Sequence, residues 1–94
     1  MIISFKHKGL KDLWTNDEAK KLPPQQVKRI RILLQIIEEL KDVPRDLAHL
    51  VTIRPYQLKG EWAGFWSLDV TGNWRIIFRF ENGDAYDVHY IDPH

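Results

Sequence analysis

The sequence has no cysteine among its 94 residues, which excludes disulfide bonds and thiolate chemistry. No stretch reaches the ~18 consecutive apolar residues of a membrane span, and residues 1–6 lack the apolar segment of a secretory signal. We therefore expect a cytoplasmic protein without membrane contact. Charge of one sign is also scarce, because 14 basic and 13 acidic residues leave a net charge of +1. A total this small does not indicate nucleic-acid binding, so any such function must depend on where the charges lie.

The C-terminal third of the chain contains three runs rich in aromatic and β-branched residues. The runs are separated by turn signals at residues 71–73 and at Asn82 and Gly83, a pair typical of a type I′ β-hairpin. The pattern predicts an antiparallel meander of three strands, Gly64–Val70, Trp74–Phe80 and Asp84–Tyr90. A chain of this length is expected to form one domain, residues 1–94.

Loop lengths predict the register of this meander. The expected partners are Trp66 and Phe78, Leu68 and Ile76, Arg79 and Tyr86, Ile77 and Val88, and Arg75 and Tyr90. Alternation then places apolar side chains on one face, which we expect to be a core: Trp66, Leu68, Val70, Trp74, Ile76, Phe78 and Phe80. The other face is mixed, basic and aromatic: Phe65, Ser67, Asp69, Arg75, Ile77, Arg79, Tyr86, Val88 and Tyr90.

The N-terminal part of the chain is predicted to be mainly helical. Apolar residues at helical spacing indicate a short helix in Lys6–Trp14 and a longer one from Pro24 to about Lys41. Ile2–Phe5 and Val51–Leu58 are expected to be strands. The predicted fold is α+β, with two N-terminal helices on one face of a small, mainly antiparallel sheet. The long helix has a wide apolar stripe, which we interpret as a core contact, with a partner-binding surface as the alternative.

The mixed sheet face gathers residues that suit RNA. The sequence places these cations, acid, phenol and imidazole beside it: Lys59, Arg75, Arg79, Tyr90, Asp92 and His94. Cations hold phosphates and aromatic rings stack on unpaired bases. The same set suits phosphodiester cleavage, in which one group takes the proton of the ribose 2′-hydroxyl and another protonates the leaving oxygen. A purely structural interpretation also exists, since Arg75 is the expected cross-strand partner of Asp69.

A metal site is a weaker interpretation of the same end of the chain. Asp87, His89, Asp92 and His94 carry ligand atoms, but alternation directs the first two away from the Asp92 side and no metal-ligand spacing is satisfied.

Long motifs at both ends of the chain resemble those of a known family. The first is Ile-x-Ser-Phe-Lys-His-Lys-Gly-Leu, from Ile2 to Leu10. The second runs from Leu58 to His94 and includes Leu-Lys-Gly, Gly-Phe-Trp-Ser, Asn-Trp-Arg-Ile and Asn-Gly-Asp-Ala-Tyr. This pattern resembles the HigB toxins, a branch of the RelE/ParE superfamily of type II toxin–antitoxin systems. The region between Trp14 and Val51 matches in pattern only.

The resemblance implies a RelE-like fold and a ribosome-dependent endoribonuclease that cuts messenger RNA in the A site of the small subunit. It implies no cofactor and no metal. The implied partner is a HigA-type helix-turn-helix antitoxin, through which the toxin would reach operator DNA. The family's catalytic residues correspond here to Lys59, Arg75, Asp92 and His94. Contacts to the substrate are expected from Arg54, Tyr56, Arg79 and Tyr90.

The sequence departs from the family at two positions. Tyr56 stands where many members have a histidine, and Pro93 replaces the tyrosine of a terminal Asp-Tyr-His. A phenol accepts protons poorly near neutrality compared with an imidazole, so the assignment of base and acid stays open. The alternative function is therefore a degenerate, non-catalytic module that binds antitoxin or RNA without cleavage.

Overall fold

The structure, a computed structural model that describes residues 1–92, consists of two α-helices followed by a four-stranded antiparallel sheet. The elements are α1 (Lys8–Asn16), α2 (Val27–Glu39), β1 (Tyr56–Gln57), β2 (Trp66–Asp69), β3 (Arg75–Glu81) and β4 (Asp84–Ile91). The strands lie in the order β1-β2-β3-β4. The predicted α+β class, with helices preceding a mainly antiparallel sheet, is confirmed. Within residues 1–92, no helix has the length and hydrophobicity needed to cross a bilayer.

Side-chain and backbone caps define the limits of α1. The His7 imidazole is the N-cap, since its Nδ1 accepts a hydrogen bond from the Leu10 amide at 3.2 Å. The helix ends where Asp17 adopts a left-handed conformation with φ of 56°. The Asp17 amide donates to the Leu13 carbonyl at 3.1 Å and satisfies one of the last acceptors of the helix.

The apolar stripe of α2 forms the centre of the core. A 3-10 turn at Pro24–Gln26 precedes this helix, because proline suits a first helical turn. Four side chains of the stripe are fully buried: Ile30, Leu33, Leu34 and Ile37. They share one core cluster with Leu68, Ile76 and Phe78 of the sheet. Ile32 of the same helix is 53 % exposed.

The two predicted turns form as expected. Asn82 and Gly83 have φ of 51° and 84°, which is the positive region that a type I′ turn requires at both positions. The β2–β3 register places Trp66 opposite Phe78 and Leu68 opposite Ile76, which confirms the prediction for that pair of strands.

A β-bulge in β4 makes the predicted β3–β4 register wrong for the part of β4 that follows Tyr86. Arg79 pairs with Tyr86 as expected, but Ile77 pairs with His89, and Arg75 pairs with Ile91. The extra residue is Asp87, whose φ is 54° and whose amide donates to Ser4 Oγ at 2.9 Å. One inserted residue exchanges the two faces for the rest of the strand.

The bulge moves Tyr90 and Val88 from the mixed face into the core. Tyr90 is 6 % exposed and its ring stacks on Trp74, with centroids 4.5 Å apart and planes 9° apart. Its hydroxyl donates to Gln26 Oε1. Burial, with a smaller contribution from the charge of Asp92, raises the pKa of Tyr90 to about 12. The expectation that Tyr90 contacts a substrate on the mixed face is therefore corrected, since its side chain belongs to the core.

Two of the predicted strands are shorter than expected. Ile2 and Phe5 form isolated parallel bridges with β4 in place of a regular strand. Val51–Ile53 is a 3-10 turn, so only Tyr56 and Gln57 of the expected strand Val51–Leu58 pair with the sheet. Pro55 lies immediately before this edge strand, a position in which its missing amide donor is tolerated.

Candidate active site

A cavity of about 540 Å³ is lined by residues of β1, β2 and the start of β3, and by the segments that flank β1. Its described lining residues are Arg54, Pro55, Tyr56, Leu58, Lys59, Trp62, Ser67, Asp69, Arg75 and Ile91. The structure thus brings together four of the residues that the sequence indicated, Arg54, Tyr56, Lys59 and Arg75. Arg54, Tyr56 and Lys59 come from one short segment around β1, and Arg75 comes from the start of β3.

Each of these side chains is positioned by the element that carries it. Arg75 opens β3 directly opposite Asp69, the last residue of β2. Arg54 has a left-handed backbone with φ of 48° at the end of a 3-10 turn. Tyr56 lies in β1 with 58 % of its surface exposed. Lys59 precedes the 3-10 turn Gly60–Trp62, which also supplies an indole ring to the cavity.

The guanidinium of Arg75 is held by three described contacts. Nε lies 2.9 Å from Asp69 Oδ1, and Nη1 donates to the Gly72 and Trp74 carbonyls at 3.0 Å each. Within residues 1–92, none of these hydrogen bonds involves Nη2. The predicted Arg75–Asp69 pair is confirmed, and it leaves part of the arginine donor set unused.

The charge of the cavity lining is mainly positive. Its described residues include the cations Arg54, Lys59 and Arg75 and the single carboxylate Asp69, while Tyr56 and Trp62 supply aromatic rings. Cations grip phosphate oxygens, and exposed aromatic rings stack on bases. The lining therefore combines the two contacts that single-stranded RNA offers.

Other predicted residues lie elsewhere. Arg79 Nε is paired with Asp87 at 2.9 Å and its Nη1 with Glu81 at 2.9 Å, and Arg79 is not among the described residues of the cavity lining. The hydrogen bond that Arg79 Nε donates to the Asp87 carboxylate raises the pKa of Arg79. Asp92 follows the end of β4 and is likewise not among those lining residues. His94 lies outside the described residues.

Trp62 and Ile91 line the cavity but were not singled out from the sequence, and nearby His89 was named only in the weaker metal-site interpretation. Trp62 follows Lys59 by three positions, and an aromatic ring so close to a predicted catalytic lysine was a usable signal. Ile91 and His89 lie on the mixed face only because of the bulge. The His89 ring lies 5.7 Å from the indole of Trp62, and its Nδ1 is buried without a hydrogen-bond partner in residues 1–92.

The described part of the chain contains no group of three or more histidine, cysteine, aspartate or glutamate side chains arranged to hold a metal ion. Asp87, which the weaker metal-site interpretation invoked, is paired with Arg79.

Two partly buried imidazoles predict a loss of stability in mild acid. Burial lowers the pKa of His7 and of His89 below 6.5, and the positive charges of His7 and Lys6 lower that of His89 further. The unfolded chain thus binds protons more readily than the folded protein. Their contribution is complete above the unfolded pKa and is lost as the pH falls through the lower folded values. We expect the Tm to fall between about pH 7.5 and about pH 5.

Substitution of single histidines tests this pH dependence. His89→Gln should flatten the fall in Tm measured by differential scanning calorimetry, because that variant has one fewer group to protonate on unfolding. His49 is exposed, so His49→Gln is the matched control and should keep the wild-type slope. Equal slopes for His89→Gln and the wild type would contradict the assignment.

The arrangement of the chain is similar to that of solved bacterial proteins. It matches the structure of the YoeB dimer from Staphylococcus aureus with a TM-score of 0.56, covering 99 % of this chain and 94 % of that one at 18 % identity. At this identity the likeness shows the fold alone. The fold is the RelE-like toxin fold that the sequence predicted.

Among proteins with this fold, the sequence comparisons identify the family of the chain. Residues 3–94 match the family model of the HigB-like toxin, a RelE-like toxin of type II toxin–antitoxin systems. The chain is 44 % identical over 94 residues to "Endoribonuclease HigB" of Proteus vulgaris, with full coverage of both proteins. It is 28 % identical to "Toxin HigB-1" of Vibrio cholerae serotype O1, covering all of this chain and 98 % of that protein. The chain belongs to the HigB-like toxin family, and such systems pair a toxin with an antitoxin.

Proposed function

We propose that this protein, a single toxin domain, is a ribosome-dependent endoribonuclease that cleaves messenger RNA in the A site without a metal. The observation that carries the proposal is the cavity itself. It places Arg54, Lys59 and Arg75 around one space and adds the aromatic rings of Tyr56 and Trp62. The name of the Proteus vulgaris relative supports the same activity. Its partners would be a HigA-type helix-turn-helix antitoxin, through which alone it reaches operator DNA, and the ribosome in the cytoplasm.

The proposed chemistry is an internal attack by the ribose. The 2′-oxygen loses its proton and bonds to the adjacent phosphorus, while the bond from phosphorus to the 5′-oxygen breaks and that oxygen gains a proton. Lys59 and Arg75 offset the negative charge that develops on the phosphoryl oxygens. Arg54 and Tyr56 hold the flanking nucleotides. Asp92 and His94 are the candidates for the two proton transfers.

The chemistry of the product ends tests this mechanism. We expect ribosomes programmed with a defined message to yield fragments ending in a 2′,3′-cyclic phosphate, with 5′-hydroxyl ends on the downstream fragments. A 2′-deoxy nucleotide at the scissile position should abolish cleavage, because no nucleophile remains. Free message of the same sequence is the control for ribosome dependence.

The other outcomes of this experiment identify the alternative functions. Fragments with 3′-hydroxyl and 5′-phosphate ends, and cleavage of the 2′-deoxy message, would indicate attack by an activated water and a metal-dependent nuclease. Binding to the programmed ribosome without cleavage would indicate the non-catalytic module, for which the replacement of histidine by Tyr56 is the motive.

A further inference from the structure

Asp69 lies between two arginines of the cavity. Its Oδ1 is 2.9 Å from Arg75 Nε, and its Oδ2 is 3.6 Å from Arg54 Nε. Asp69 is the single carboxylate among the described lining residues. An acid here weakens the attraction of the cavity for phosphate, so its position beside both arginines calls for a physical explanation.

Asp69 is itself fixed by a different part of the fold. Its backbone carbonyl accepts two hydrogen bonds from the Arg29 guanidinium of α2, at 3.0 and 3.3 Å. It also ends β2 and pairs with Arg75 across the sheet. Asp69 is thus attached to the helix layer through its backbone and to the sheet through its pairing with Arg75, and only 21 % of its side chain is exposed. A carboxylate on a backbone held this way can orient side chains that are more mobile.

The carboxylate determines where the remaining donors of Arg75 lie. A guanidinium is planar, so fixing Nε on Asp69 and Nη1 on two carbonyls also fixes Nη2. Donors held in place before the reaction stabilise a transition state without reorganising. Arg54 gains more from such a contact, since 79 % of its side chain is exposed and Asp69 is its ion-pair partner at 3.6 Å.

We propose that Asp69 is a positioning residue that orients Arg75 and Arg54 toward one phosphate of the bound RNA strand. The proposal rests on the endoribonuclease function proposed above. It assigns Asp69 an effect on the rate of cleavage through the arginines and no contact with the substrate. The opposite possibility is that Asp69 competes with the phosphate for Arg75, in which case removing the acid raises activity.

Two substitutions at position 69 separate these possibilities. Asp69→Ala removes the acceptor, and we expect the single-turnover cleavage rate at saturating toxin to fall about 10- to 100-fold, the size of a small misplacement of a catalytic group. Asp69→Asn keeps an oxygen acceptor without the charge and should rescue part of this loss. The toxin concentration at half-saturation should change much less than the rate.

Asp87 offers a matched control on the same sheet. Its carboxylate contacts Arg79 Nε at 2.9 Å, the same distance as in the Asp69–Arg75 pair, but outside the lining of the cavity. Asp87→Asn should therefore cleave at the wild-type rate. In an Arg75→Ala background, Asp69→Asn should add little further loss, because its effect passes mainly through the removed arginine.

The outcomes that overturn the proposal differ from those that overturn the proposed function. If folded Asp69→Ala cleaves as fast as the wild type or faster, the positioning role is refuted. The endoribonuclease function then still stands, because the wild-type protein cleaves. If the wild type does not cleave, the proposed function fails, and NMR then decides the role of Asp69. Hydrogen exchange at Arg75 Nε should be faster in Asp69→Ala and unchanged in Asp87→Asn. Unchanged exchange in Asp69→Ala would refute the proposal without any assay of cleavage.

Discussion

Arg75→Ala is expected to reduce cleavage on programmed ribosomes by about 10²–10³ while leaving the protein folded. The magnitude is that of losing one preorganised donor to a developing charge. Arg75 lines the cavity, and none of its described hydrogen bonds involves Nη2. Its ion pair with Asp69 is partly exposed, with side chains 24 % and 21 % accessible, and pairs of this kind contribute about 0–1 kcal/mol. Stability should therefore change little.

Arg75→Lys refines this expectation and supplies its control. A lysine keeps the charge but loses the planar fork that binds phosphate, so we expect only partial recovery of the rate. Single-turnover cleavage and a thermal melt are measured on each variant. If Arg75 serves only as the partner of Asp69, the alanine variant will be slightly less stable and fully active. That result would remove Arg75 from the mechanism.

The sheet illustrates how far local sequence signals reach. The Asn82 and Gly83 turn and the three-residue loop at 71–73 set the β2–β3 pairing and the first pairs of β3 and β4. These signals are local, because a turn requires specific backbone angles at specific residues. The fully buried stripe of α2 was equally predictable, since helical periodicity directs those side chains to one face.

The bulge was not predictable by the same means. No local signal in the sequence marks Asp87 as the extra residue. Its left-handed backbone conformation is stabilised by a residue that is distant in the sequence. Ser4, 83 positions away, accepts its amide hydrogen bond. This tertiary contact decides that Val88 and Tyr90 are buried. The turn signals alone therefore misplace Tyr90, and Arg79 is paired with Glu81 and Asp87 outside the cavity lining. Arg54, Tyr56, Lys59 and Arg75 line one cavity.

Val88→Asp should destabilise the protein by about 4 kcal/mol or more, because it places an unpaired carboxylate in the core. Val88 is fully buried and belongs to the main core cluster. A domain of this size has only about 5–15 kcal/mol of total stability, so much of it would be lost. A milder variant, Val88→Ala, should cost about 2 kcal/mol and remain folded enough for urea unfolding to be measured.

Tyr86→Asp is the matched control for the position of the bulge. Tyr86 precedes Asp87 and lies on the mixed face, where the Arg79 guanidinium is 5.5 Å from its ring centroid. An acid there meets water and a cation, so its cost should be far below that of Val88→Asp. In a regular strand with the register expected from the turn alone, Val88 would lie opposite Ile77 on the mixed face, outside the main core cluster, and the same charge should cost less. Near-wild-type urea midpoints for Val88→Asp and Val88→Ala would therefore restore the regular strand, and with it an outward-facing Tyr90.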